Sequence, residues 1–118
     1  MSTLQVTNIQ ATGETASRAV SGVAAAWVNF NGSGTISIRD SQGVPSLIDV
    51  GTGNYVVNFT SSMASINYSA IACGENDGNV GHAQGWNVNS WALVNRNNSV
   101  NSLEDETYVS VSIHGDLA

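Results

Sequence analysis

The chain has 118 residues, three arginines, no lysine and nine acidic residues, for a formal charge of −6. That length suits one domain and lets roughly two-thirds of the unfolded surface be buried without covalent staples. The charge argues against nucleic acid, which is held mainly by Lys and Arg, and against an anionic membrane surface. Ser, Asn and Thr number 16, 14 and 8, so the surface is solvated by hydroxyls and amides, as on many extracellular β-proteins and virus surface proteins. No run approaches the ~20 apolar residues of a membrane span, and the opening residues lack the basic and apolar blocks of a secretory signal. The one cysteine, Cys73, has no intrachain partner, and its apolar neighbours predict a buried, inert thiol.

In chain order, residues 1–25 scatter Leu4, Val6 and Ile9 ahead of the small-residue run AVSGVAAA. They hold too few large side chains for a core of their own. We expect a flexible lead-in; a segment that packs along neighbouring chains of an oligomer is the sharper alternative, and a short helix is the third. Residues 26–118 are the folded domain. Here apolar and polar residues alternate with the period of strands, which are predicted at 26–31, 35–40, 46–50, 54–60, 67–73, 86–95 and 107–114. Turn residues fall between them: GSG, SQG, GTG, SS and the polar stretch 95–102. Pro45 lies between runs, where its missing N–H does little harm. About seven short strands at this spacing predict an all-β domain, a small antiparallel β-sandwich or a Greek-key/jelly-roll-like fold.

Parity constrains the first hairpin, WVNFNGSGTISIRD. A three-residue loop, Gly32-Ser33-Gly34, places Phe30 opposite Ile36 and Val28 opposite Ile38, with Gly34 at the left-handed position. Trp27 then lies on the other face opposite Arg39, with Asn29 opposite Ser37, so its indole leaves the Val28/Phe30 layer.

Further along, a continuous strand over 86–95 would point Trp86 and Trp91 to opposite faces. Trp91, in phase with Leu93, is expected in the core, and Trp86 at the surface. Trp86, Trp91 and Tyr108, with Asn87, Asn89 and Asn98, are residue types suited to stacking on sugars and pairing with hydroxyls, Trp86 being the better contact candidate. Catalytic and metal signatures are weak. Aligning Gly78 with the sixth position of a calcium loop puts Cys73 first and Gln84 twelfth, which breaks the EF-hand ligand rule. His82 and His114 have no metal-ligand spacing. The carboxylates offer no diagnostic glycosidase pair, and no GxSxG elbow occurs. Glu104-Asp105-Glu106 reads as a soluble edge before the last strand. No enzyme activity, cofactor or metal is expected.

The blocks AWVNFNGSGTISIRDS, SLIDVGTGNYVVNFTSSM and INYSAIACG, with VSVSIHGD near the end, together resemble a domain of bacteriophage tail-fibre proteins, especially those of phages of marine bacteria and cyanobacteria. The resemblance is close over 25–74 and looser over 107–116. It implies a homotrimer on the virion, joined to other tail proteins and touching a host receptor, possibly a glycan, without membrane insertion. The chain departs from the pattern between Gly74 and Leu103. Receptor contact is therefore expected in loops 74–90 and 95–106, with Glu75, Asn76, Asp77, Asn79, His82, Gln84, Trp86, Asn97 and Asn98 as candidates. Leu4, Val6, Ile9, Trp27 and Arg39 are the candidates for contacts between chains. A structural or linker domain of the virion, and a lectin-like module, are the rival readings.

Overall fold

The alternating runs become antiparallel strands, and the computed structural model describes them over residues 1–20, 23–75 and 79–118, the side chains of residues 18, 79 and 80 aside. Two very short strands, β1 (Asn8–Ile9) and β2 (Arg18–Ala19), pair with each other in the lead-in. The domain follows as β3 (Ala24–Asn31), β4 (Ser37–Gln42), β5 (Ser46–Gly51), β6 (Asn54–Asn58), β7 (Ser69–Gly74), β8 (Asn79–Asn87), β9 (Ser90–Asn97), β10 (Ser102–Leu103) and β11 (Val109–His114). The all-β expectation holds. The strand count rises above seven because β8 occupies what reads as a loop, and because β1, β2 and β10 are only two residues each.

Hydrogen-bonded neighbours run in the order β4-β3-β11-β7-β8-β9-β6-β5, with β10 beside β9. β4, β3, β11 and β7 form one layer; β8, β9, β6 and β5 form the other. The layers pack face to face as a small β-sandwich. Phe30 of the first meets Tyr55 of the second edge-on, with ring centroids 5.2 Å apart, a geometry that suits the aromatic quadrupoles. Inward positions alternate along each central strand: Ala26, Val28 and Phe30; Val109, Val111 and Ile113; Tyr55 and Val57; Trp91 and Leu93. Each such large side chain contributes about 1.5–3 kcal/mol by leaving water. Trp91 lies in this core as its phase with Leu93 predicts.

Reversals are divided between two ends. The β3–β4, β5–β6 and β9–β10 turns, together with the approach to β11, gather at one end, which we call end A. The β4–β5, β6–β7 and β8–β9 connections lie at end B, where Met63 bridges to Leu117 and the lead-in joins β3.

Three sequence expectations need correction. In the first hairpin Phe30 faces Ile38 rather than Ile36, Asn31 faces Ser37, and Trp27 faces Gln42 rather than Arg39. The loop is five residues, not three, because β3 stops where Gly32 is captured by another part of the chain. Parity holds at Phe30, which still faces an isoleucine, but a bulge at Asn29/Phe30 then breaks it, so Val28 faces Ser41 rather than Ile38 and Asn29 faces Asp40 rather than Ser37. Gly34 does adopt a positive φ of 64°. Secondly, Trp86 and Trp91 belong to different strands joined by the two-residue turn Val88-Asn89, and they face each other across it. Opposed residues in an antiparallel pair share a face, so both indoles lie on one side. Thirdly, Cys73 is exposed rather than buried, because it falls at an outward position of β7.

Core and surface should therefore respond differently to truncation. Leu93→Ala, at a fully buried site, is expected to lower the unfolding free energy by about 2–5 kcal/mol. Ile48→Ala, at a site 49% exposed on β5, should change it by less than about 0.5 kcal/mol. Urea unfolding followed by tryptophan fluorescence measures both.

Candidate functional site

End A is organised by residues 104–106, which return the chain from β10 towards β11. Asp105 Oδ1 accepts the Gly53 N–H at 2.7 Å and lies 2.9 Å from the Tyr55 hydroxyl. That hydroxyl is also 2.8 Å from the Gly32 carbonyl, so one proton is shared between two acceptors. The Glu106 carbonyl accepts the Gly32 N–H at 2.8 Å. The Glu106 carboxylate, only 1% exposed, accepts the Glu75 N–H at 3.0 Å. Glu75 reciprocates: its Oε1 accepts the N–H groups of Thr107 at 2.9 Å and Tyr108 at 3.3 Å. Glu104 closes the set, exchanging backbone and side-chain contacts with Asn95, and its Oε1 accepts from Asn97 Nδ2. Three consecutive acids thus tie Gly32, Gly53, Glu75 and β9 together, two of the bonds being charge-assisted ones from the Gly53 and Glu75 N–H groups to the Asp105 and Glu106 carboxylates. The expected soluble edge holds only in part: Asp105 is exposed and Glu104 half-buried, whereas Glu106 is buried.

Two glycines are required by this arrangement. Gly53 has φ 61°, and a Cβ there would lie 2.7 Å from both the Asn95 and Glu104 carbonyl oxygens. A Cβ on Gly32 would lie 2.4 Å from the Tyr55 hydroxyl oxygen. Burial, then the hydrogen bond with Asp105 and its negative charge, pushes the Tyr55 phenol above the ordinary tyrosine value. Burial also raises Tyr68, whose hydroxyl donates at end B to the carbonyls of Asn87 and Ser90, 3.0 and 3.1 Å away.

The predicted contact residues do not converge on one site. Glu75, Asn79, Asn97 and Asn98 lie at end A, where Asn79 pairs with Asn97. Of these, Glu75 is engaged by backbone, and Asn97 is held by Glu104 and by the Ser99 N–H, whereas Asn98 is exposed in the turn. Asn76 and Asp77 lie outside the described residues. His82 and Gln84 are exposed midway along β8, with Gln84 the extra residue of a bulge. Trp86 sits near end B, about 20 Å along the strand from Asn79. It is 45% exposed and meets Trp91 at 6.4 Å and 63°. Leu4, Val6 and Ile9 are exposed in the lead-in. Trp27 donates to Gln42 Oε1 at 3.3 Å, while Arg39 lies 3.7 Å over the Tyr108 ring instead, a contact worth about 0.5–1 kcal/mol where exposed.

Sequence reasoning missed Tyr55, Asn95, Asp105 and Glu106. The alternation W-A-L-V-N does put Asn95 inward with Trp91 and Leu93, and that was a readable signal. It also missed Ser112 and His114, whose Oγ and Nε2 lie 2.9 Å apart on β11. Ser112 pairs with Trp27 on one side and Ile71 on the other. The surrounding backbone N–H groups are thus spent in ladders and do not form an oxyanion hole. Among the described residues no group of three or more His, Cys, Asp or Glu is placed to hold a metal. Comparison of the chain with protein-family models, with curated proteins and with solved structures found no match.

Two measurements follow from this network. Asp105→Ala strands the Gly53 N–H and removes one Tyr55 acceptor, so a loss of about 1–3 kcal/mol is expected in chemical unfolding. The raised Tyr55 value means that the unfolded chain releases the phenolic proton first. Its stabilising contribution is full below the unfolded value of about 10 and is lost as pH climbs towards the folded one. Stability should therefore fall above about pH 10, and Tyr55→Phe should reduce that slope.

Proposed function

We propose that this chain is a domain of a bacteriophage tail fibre, self-associated on the virion, whose end A touches the host surface without catalysis. The observation that supports this is how the resemblance divides along the fold. The blocks that resemble tail-fibre sequences supply β3 to β7 and β11, which are the whole first layer and the outer half of the second. The residues that depart from the pattern begin after Gly74 and come back to β11, leaving and re-entering that framework at end A. Side chains there are held by backbone hydrogen bonds rather than by mobile ion pairs, which lowers the ordering cost of binding. Several copies on one axis would let weak amide and hydroxyl contacts suffice through avidity.

Adsorption competition tests this reading. Full-length protein in excess should slow adsorption of the phage that carries it to its host. Asn98→Arg at end A should abolish the effect, whereas Ser61→Arg at end B should leave it. No competition at saturating protein would contradict receptor contact and favour a purely structural domain.

A further inference from the structure

Asn31-Gly32 is the only asparagine–glycine pair among the 14 asparagines of the chain. Such a pair is chemically labile. The backbone nitrogen of the second residue can attack the side-chain carbonyl carbon of the first, and glycine has no side chain to obstruct it. The new C–N bond closes a five-membered succinimide, and ammonia leaves. Water then opens the ring at either carbonyl, giving aspartate or isoaspartate. The net change is asparagine plus water to an acid plus ammonia, with no oxidant or reductant.

The fold gives position 32 no way to avoid glycine, because a Cβ there would lie 2.7 Å from Tyr55 Cζ and 3.1 Å from the Glu106 carbonyl oxygen. The contacts that demand glycine also hold the attacking nitrogen. Gly32 N–H donates to the Glu106 carbonyl at 2.8 Å, and the Gly32 carbonyl accepts from the Tyr55 hydroxyl at 2.8 Å. On the other side of the peptide bond, Asn31 Oδ1 accepts the Ser33 N–H at 2.9 Å, and Asn31 pairs with Ser37 in the β3–β4 ladder. Attack requires the Gly32 nitrogen to shed its proton, the step that amide exchange with solvent also requires. A proton held by a carbonyl inside the protein is released only when that bond opens. The ladder and the Tyr55 bond fix the backbone on either side, which resists the rotation that brings the Asn31 side chain over the nitrogen.

We propose that Asn31 is a self-modification site gated by end A, deamidating only through states in which the Gly32–Glu106 bond has opened. The product does not return to the starting arrangement. Either acid adds a negative charge at the end that already holds Glu104, Asp105 and Glu106. Isoaspartate also lengthens the backbone by one carbon ahead of Gly32, which displaces that residue from the Glu106 carbonyl and the Tyr55 hydroxyl. Modification is therefore a one-way release of the first hairpin from end A. None of these bonds depends on receptor contact, so failed adsorption competition leaves this chemistry standing.

Peptide mapping by mass spectrometry after incubation of the full chain in mildly alkaline buffer tests this, with hydrogen exchange read at the Gly32 amide. The native chain should convert Asn31 at least about tenfold more slowly than the same chain unfolded in urea. Asp105→Ala loosens the staple without touching Asn31 or Gly32, and should speed conversion at Asn31 by roughly 5- to 100-fold. Exchange at Gly32 should quicken in step, while Asn98, in its exposed turn, keeps its own rate. Tyr55→Phe removes the bond to the Gly32 carbonyl and should act in the same direction, which keeps the test open if Asp105→Ala does not fold. Equal rates in the native and unfolded chain, or faster exchange at Gly32 with no faster conversion at Asn31, overturns the proposal. Purified isoaspartyl chain should have lost protection at Gly32, and retained protection there overturns the release.

Discussion

The fold depends at end A on one carboxylate, that of Asp105. It receives the Gly53 N–H and shares the proton of Tyr55, a core residue whose ring also packs against Phe30. The same segment gives a backbone carbonyl to Gly32 and a side-chain carboxylate to Glu75. A turn from each of two hairpins, the exit of β7 and the entry to β11 are therefore positioned by three residues. The Gly32, Gly53 and Glu75 N–H groups that water would otherwise satisfy are paired inside the protein, though Asn95 Oδ1 is buried without a hydrogen-bond partner, so these loops are held together rather than as independent tips. The constraint reaches into the first hairpin as well. β3 ends at Asn31 beside the captured Gly32, the loop is five residues long, and Arg39, the extra residue of the bulge, lies over the Tyr108 ring.

Much of the sandwich could be read from alternation, because a half-buried strand writes its buried face at every second residue. Val28/Phe30, Trp91/Leu93 and Val109/Val111/Ile113 were all legible in this way. β8 was not. Its sequence NVGHAQGWN holds two glycines and a bulge, so no period survives to mark it as a strand. Register was also hidden, since parity allows Ile36 or Ile38 opposite Phe30, and only a tertiary contact at Gly32 chooses between them. The acidic run was legible only in part, since Asp105 is exposed but Glu106 is buried. Composition predicts that three adjacent acids face solvent, and nothing local shows that backbone N–H groups from distant loops will converge on them.

These features give the domain two contrasting regions. End A is pre-organised and polar, with Gly32, Gly53, Glu75 and Asn95 all bonded to the same short segment. The β7 seam is uncharged and sparsely hydrogen-bonded, with the Cys73–Val80 pair and the close approach of Gly81 to Ala72 towards end A and the Tyr68 hydroxyl on Asn87 towards end B. The chain that leaves the resembling blocks after Gly74 contributes to each. It supplies the strand that turns away from β7 and the acids that bind end A together.

Hydrogen exchange in an Asp105→Ala variant tests the central claim most directly, that end A behaves as one unit. If residues 104–106 act as a common staple, the amides of Gly32, Gly53, Glu75 and Asn95 should lose protection together, while Val111 in the middle of β11 keeps its relative protection. Faster exchange at Gly53 alone, with the other three unchanged, would show that the loops are held independently and would contradict the account.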